Sequence, residues 1–179
     1  MSAVNLYIKV VQSGDLTGND RNEIISLCTR AYEEDFGSMF DDFPGSVHIL
    51  GYADGILVSH AMWITRALQA GNGPVMRTAY IEAVATDKAF RNRGFASQIM
   101  RRTAEEIKDF DLGALSPFSE EYYARLGWEK WKGPLFIRTE KGLVRSAEDE
   151  EVMILRLPGT PELDLNDTLS AEWRRGELW

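Results

Sequence analysis

The run Thr86-Asp87-Lys88-Ala89-Phe90-Arg91-Asn92-Arg93-Gly94-Phe95-Ala96 decides the fold. Before it, residues 76–86 read as a strand. After it, residues 94–110 carry Ala96, Ile99, Met100, Thr103, Ile107 and Phe110 at helical spacing, which predicts an amphipathic helix. A strand, a tight loop and a helix start aim several backbone N–H groups and the positive end of the helix dipole at one point. Gly94 lets the backbone approach that point and the small Ala96 leaves room for the next turn. Arg91 and Arg93 add charge suited to a pyrophosphate. Residues 87–108 hold six basic and three acidic side chains, a positive island in an acidic protein. An ordinary turn with solvated arginines has the same local pattern, so the loop alone does not decide its own function.

Outward from this loop, residues 6–11 alternate as a half-buried strand does, and the start, residues 1–10, reads as a short amphipathic strand without a signal-peptide profile. Asp20 is a candidate N-cap for a helix reaching Ala31, with Ile24, Leu27, Cys28 and Ala31 on one face. Residues 35–46 look irregular. Residues 47–52 and 56–68 read as strands joined at Asp54-Gly55, a strong hairpin signal. Gly71-Asn72-Gly73-Pro74 makes the next turn. Residues 112–115 read as a buried strand, 120–126 as a short helix closed by Gly127, and 134–139 and 152–157 as further strands. The final twenty residues read as a short strand plus tail. Hairpins followed by alternating helices and strands indicate an α/β protein with a mixed sheet and helices on its faces.

The chain has 179 residues and a formal charge of −8. This predicts a single domain over residues 1–179. The acidic balance argues against nucleic-acid binding and suits a cationic partner. No apolar run approaches the length of a membrane span. One cysteine forbids an internal disulfide, and Cys28, His48 and His60 lack metal-ligand spacing, so no metal is expected. A cytoplasmic location follows as the expectation.

The pattern Arg-x-x-Gly-x-Ala after a strand, followed about thirty residues later by Tyr122-Tyr123-Ala124-Arg125-Leu126-Gly127-Trp128, resembles the GNAT superfamily of acyl-CoA-dependent N-acetyltransferases. The segments Ala31-Tyr32-Glu33-Glu34-Asp35-Phe36, Tyr80-Ile81-Glu82, Gly113-Ala114-Leu115-Ser116, Trp131-Lys132-Gly133-Pro134 and Trp173-Arg174-Arg175-Gly176-Glu177-Leu178-Trp179 narrow the likeness to the aminoglycoside 2′-N-acetyltransferases. The resemblance implies the GNAT fold, a mixed and mostly antiparallel sheet flanked by helices. It also implies acetyl-CoA as co-substrate, an aminoglycoside as cationic acceptor, and a homodimer.

Residue by residue, the resemblance places CoA along Val84, Ala85 and Thr86 and then Arg91, Asn92, Arg93, Gly94, Phe95 and Ala96. It makes Glu82 a general base and substrate contact, with Ala83 beside it. An amino-sugar amine is less basic than lysine, so a carboxylate can assist its deprotonation. A bulge near Val84 would aim backbone N–H groups at the thioester carbonyl. Tyr123 is the candidate acid for the departing thiolate, with Tyr122 as its rival. Asp35, Ser116, Glu148, Asp149, Glu177 and Trp179 with its carboxylate are the expected acceptor contacts. From residue 148 onward nine acidic side chains face three basic ones. Departures from the family, including Gly45-Ser46 and the glutamates at 148 and 177, bear on acceptor shape.

Other readings are transfer to a polyamine or a cell-wall amino sugar, and a non-catalytic module that binds CoA. Cys28 is read as core, and His48 and His60 as structural. Met39, Phe40 and Phe43 are read as a lid or a hydrophobic plug.

Overall fold

The computed structural model describes residues 5–179. The strand expected at the start of the chain is found as β1 (Tyr7–Gln12), and the part of that expectation falling on residues 1–4 lies outside the described residues. Next come α1 (Gly18–Tyr32), a short α2 (Met39–Asp42), β2 (Val47–Ala53), β3 (Ile56–Ala70) and β4 (Val75–Thr86). Then follow α3 (Phe95–Glu106), β5 (Leu112–Leu115), α4 (Glu120–Ala124), β6 (Glu129–Lys130), β7 (Leu135–Thr139), β8 (Gly142–Arg145), β9 (Met153–Arg156) and β10 (Leu169–Glu172). The main path of the sheet is β6-β9-β5-β4-β3-β10-β7-β8, with β1 on β2 and β2 on β3. The chain forms two compact units, one from residues up to Ile64 with Glu82–Glu105, the other from Thr65–Ile81 with Glu106–Trp179.

In the first unit β1 pairs antiparallel with β2 and β2 with β3. The hairpin between β2 and β3 turns at Asp54 (φ 49°) and Gly55 (φ 78°), the two left-handed residues that a tight hairpin with right-handed twist needs. Its register slips by one at Gly51/Tyr52. This bulge leaves Val58 outside the pairing, and the Val58 carbonyl accepts from the Asp87 N–H at 2.9 Å. The helix expected to start at Asp20 starts three residues earlier. Thr17 is the N-cap, with its Oγ1 accepting from the Asp20 N–H at 3.1 Å while the Asp20 carboxylate accepts from the Thr17 N–H at 3.0 Å. Asp20 therefore closes a reciprocal cap from the third helical position. Ile24, Leu27 and Cys28 go fully into a core with Leu50, Leu57 and Met62, and Ala31 packs at its edge. Burial pushes the Cys28 thiol up to about 12, which leaves it inert.

α3 ends at Glu106, short of the expected Phe110, because the Phe110 N–H bonds back to the Ile107 carbonyl at 2.9 Å and tightens the chain out of the helix. Phe95, missing from the expected apolar stripe, is buried against Ala53 and Val58.

In the second unit β4 and β5 pair in parallel from Thr78–Leu112 to Ile81–Leu115, and β5 pairs antiparallel with β9. β10 runs antiparallel to β3 and parallel to β7, which carries the edge strand β8. The sequence reading named neither β6 nor β8: the first has two residues, and the second is exposed throughout, so neither carries a hydrophobic pattern. Gly133 is dictated by close approach. A Cβ there would lie 1.8 Å from the Asp167 carbonyl oxygen and 2.6 Å from that of Asn166. The same turn receives the Lys132 and Gly133 N–H groups on the Leu165 carbonyl, at 2.8 and 2.9 Å. Among the described residues, no helix is long and apolar enough to cross a membrane.

Two measurements check these assignments. Gly133→Ala must push a backbone turn aside and is expected to cost about 2–3 kcal/mol in urea denaturation. Thr17→Ala loses one cap and is expected to cost about 1 kcal/mol; an equal or reversed order contradicts the packing described. The second check is pH. Burial above all pushes His48 down to about 3 and His60 down to about 4. Below pH ~6.5 the unfolded chain takes up protons that the folded chain refuses, so the contribution of the two histidines to stability falls between pH 6.5 and about 3 and is flat above that window. Denaturation midpoints at pH 7.5 and 5.5 are expected to differ in favour of pH 7.5, and equal midpoints contradict two buried neutral imidazoles.

Candidate active site

In the first unit, the loop after β4 takes the form needed to hold an anion. Asp87 caps a turn of 3-10 helix at 88–90 through the Ala89 N–H, at 3.0 Å. Asn92 (φ 61°) and Gly94 (φ 76°) are left-handed, so successive N–H groups turn to one side just before α3 begins. A Cβ at Gly94 would meet no protein atom within 4 Å, so within the chain the glycine answers to the left-handed backbone conformation. Arg91 and Arg93 are exposed. Arg91 reaches the Thr86 and Ala31 carbonyls at 3.4 Å, and Arg93 reaches the Ala89 carbonyl at 3.4 Å and lies over the Phe90 ring. Such long contacts leave both guanidinium groups able to turn toward a pyrophosphate.

β4 leads into this loop through a break in its own geometry. The ladder to β5 covers Thr78 to Ile81, whereas β4 runs on through Glu82, Ala83, Val84, Ala85 and Thr86. Ala83 has φ 50°, a left-handed alanine inside a strand. The regular alternation of buried and exposed residues that opens β4 is lost from Ala79 onward, and Glu82, Ala83 and Val84 are all half-buried. Side chains hold the carbonyls here. His60 Nδ1 bonds Ala83 at 2.8 Å, Tyr32 Oη bonds Val84 at 2.9 Å, and Ser59 Oγ bonds Ala85 at 3.2 Å. Asp35, beyond α1, is exposed and its carboxylate accepts from the Gly37 N–H at 2.8 Å.

The second unit holds the tyrosines and the acidic segment. Tyr123 is buried in α4, with Phe118, Tyr122 and Trp128 edge-on or tilted around it at 5.0–6.2 Å between ring centres. Ser119 caps α4 through the Tyr122 N–H at 3.3 Å, which fixes how both tyrosines leave the helix. Ser116 follows β5 and is exposed. Glu148, Asp149 and Glu177 are exposed as well. Glu150, which sequence reading did not single out, joins the last two: burial first, then the Asp149 and Glu177 charges, hold its carboxyl above the usual range. The structure thus brings Glu177 to the 149–150 segment.

Trp179 is buried, and its indole N–H donates to Ser146 Oγ at 2.7 Å. Its position depends on Arg66, which the sequence reading passed over as one residue of a strand. Arg66 is 2% exposed and donates to the Leu178 carbonyl at 2.7 Å and the Glu172 carbonyl at 2.9 Å. Its guanidinium lies 4.9 Å from the Tyr80 ring centre and 5.9 Å from that of Trp179, and Arg174 lies 5.5 Å from Tyr80. Two guanidinium groups over one phenol hold the last residues in place. Among the described residues, no group of three or more His, Cys, Asp or Glu is arranged to hold a metal ion.

Comparison with known proteins places this geometry. A curated aminoglycoside 2′-N-acetyltransferase of Mycolicibacterium fortuitum is 29% identical over 178 residues, spanning 96% of this chain and 91% of the relative. A GNAT family N-acetyltransferase of Escherichia coli, solved in complex with CoA, superposes with a TM-score of 0.64 at 16% identity, covering 97% of this chain and 92% of that one. An acyl-CoA N-acyltransferase of Pseudomonas aeruginosa gives 0.61 at 18% identity, over 84% of this chain and 99% of that one. The acetyltransferase (GNAT) domain model matches residues 15–131, which takes in the splayed β4, the 91–96 loop and the 122–128 segment. This chain belongs to the GNAT acetyltransferases.

Proposed function

We propose that this protein transfers the acetyl group of acetyl-CoA to the 2′-amine of aminoglycosides. The observation that carries this reading is the similarity, along nearly the whole chain, to a protein with that name. Two local features support it. The loop at 91–96 presents donors and guanidinium groups to a pyrophosphate, and the carboxylates of Asp149, Glu150 and Glu177 gather where a polycationic acceptor would be held.

The chemistry then needs no covalent intermediate. The acceptor amine attacks the thioester carbonyl carbon as Glu82 takes its proton, directly or through water. The N–H of Val84 stabilises the charge on the carbonyl oxygen. The C–S bond breaks, and the phenol O–H of Tyr123 supplies the proton to the leaving sulfur. Asp35, Ser116, Glu148 and Trp179 complete the acceptor side, with Ala83 lending backbone beside Glu82. Arg91, Asn92, Arg93, Gly94, Phe95 and Ala96 hold the CoA phosphates after Val84, Ala85 and Thr86.

Thiol release from acetyl-CoA is expected with aminoglycosides that carry a 2′-amine and to be absent with those that carry a 2′-hydroxyl. Equal rates on both, or turnover only on polyamines, would overturn the choice of acceptor. Glu82→Gln is expected to lower kcat on the order of a hundredfold and to remove the acid limb of the pH profile. Tyr123→Phe is expected to lower kcat more than Tyr122→Phe; the reverse order transfers the acid role to Tyr122.

A further inference from the structure

A left-handed alanine inside a strand is strained and persists only where its surroundings hold it. In this protein the Ala83 carbonyl ends a buried chain of side chains in the first unit. Ser46 Oγ lies 2.9 Å from His48 Nε2, His48 Nδ1 lies 2.9 Å from His60 Nε2, and His60 Nδ1 lies 2.8 Å from the Ala83 carbonyl oxygen. Ser46, His48 and His60 are all buried. Hydrogen-bond direction follows from one fact: a carbonyl only accepts. His60 must carry its proton on Nδ1, so its Nε2 accepts from His48 Nδ1–H, and His48 Nε2 accepts from the Ser46 hydroxyl. Cys28 Sγ, 3.7 Å from His60 Nδ1, is at most a weak second acceptor. The Phe40 ring, 5.3 Å from that of His48, covers the chain, and Arg21 lies over Phe40. Burial keeps both rings neutral, as the relay requires.

We propose that the Ser46–His48–His60 relay is the device that holds β4 turned at Ala83, and that His60 is thereby a positioning residue for acyl transfer, acting through the backbone that carries Glu82. The proposal rests on the reading of Glu82 as the base. A histidine at this place gives a donor of fixed direction in an apolar core, backed by two further hydrogen bonds so that the ring does not rotate. Loss of that donor leaves the Ala83 peptide free to relax toward ordinary strand geometry, carrying Glu82 away from its working position.

The protein has only two histidines, so imidazole nitrogen NMR of the intact chain reads the relay without ambiguity. Both rings are expected as neutral Nδ1–H tautomers between pH 6 and 8; an Nε2–H tautomer at His60 overturns the proposal, whatever the variants do. His60→Leu is expected to lower kcat tenfold to a hundredfold while the acceptor KM moves less than threefold. His60→Asn, which returns an amide donor near the Nδ1 position, is expected to restore most of that loss. A folded His60→Leu protein with wild-type kcat, or His60→Asn no better than His60→Leu, overturns the proposal. Glu82→Gln assayed alongside separates the two readings. An unchanged kcat there defeats the base, whereas a His60→Leu/Glu82→Gln double variant showing the full product of both losses defeats action through Glu82.

Discussion

The hydrogen bond from His60 Nδ1–H to the Ala83 carbonyl is the constraint around which the rest is arranged. A strand that kept its regular geometry through residue 86 would alternate its side chains and pair its backbone to the end. β4 departs from this: its ladder to the short β5 covers only Thr78 to Ile81, its alternation of burial fails from Ala79 onward, and Ala83 turns left-handed. Three successive carbonyls, of Ala83, Val84 and Ala85, accept from His60, Tyr32 and Ser59. Those donors come from α1 and β3, so the helix and the hairpin both serve to fix one short piece of backbone. Buried polar groups are costly unless satisfied, and this network is satisfied in one direction only, which gives the segment a single conformation.

Charge is divided along the chain in keeping with the two ligands of an acyl transfer to a cation. The 87–108 island lies on the loop and helix that follow β4, while the acidic excess from residue 148 onward includes the cluster of Asp149, Glu150 and Glu177. The acidic segment holds its shape through the residues around it. Arg66 binds the Leu178 carbonyl and Trp179 binds Ser146, so a stretch rich in charge is fixed at its end by a buried cation and a buried aromatic. A net charge of −8 says only which partners to exclude; its distribution supports the places proposed for the two ligands.

Much of this was legible in the sequence, and the failures have physical causes. The Asp54-Gly55 turn, the β4-loop-α3 unit and the aromatic segment before Gly127 follow from local preferences, and local preferences are what a sequence displays. The start of α1 was misplaced because Asp20 suits an N-cap and the third helical position equally, and only the Thr17 hydroxyl decides between them. The relay was out of reach for a subtler reason. An unbroken register from the Asp54-Gly55 turn would put His48 and His60 on opposite faces of the hairpin. The one-residue slip at Gly51/Tyr52 pairs His48 with Met62 and Leu50 with His60, which brings both rings to the same face. A bulge that depends on tertiary packing leaves no composition signal, and neither does a left-handed alanine. Arg66 was hidden likewise, since its partners lie more than a hundred residues away.

The central claim is the position of the acetyl group, and the product itself tests it most directly. Incubation of the protein with acetyl-CoA and an aminoglycoside bearing several amines, followed by NMR of the purified product, locates the new amide. A single N-acetyl group on the 2′ nitrogen is expected. Acetylation at another amine, or a mixture without preference, would contradict it.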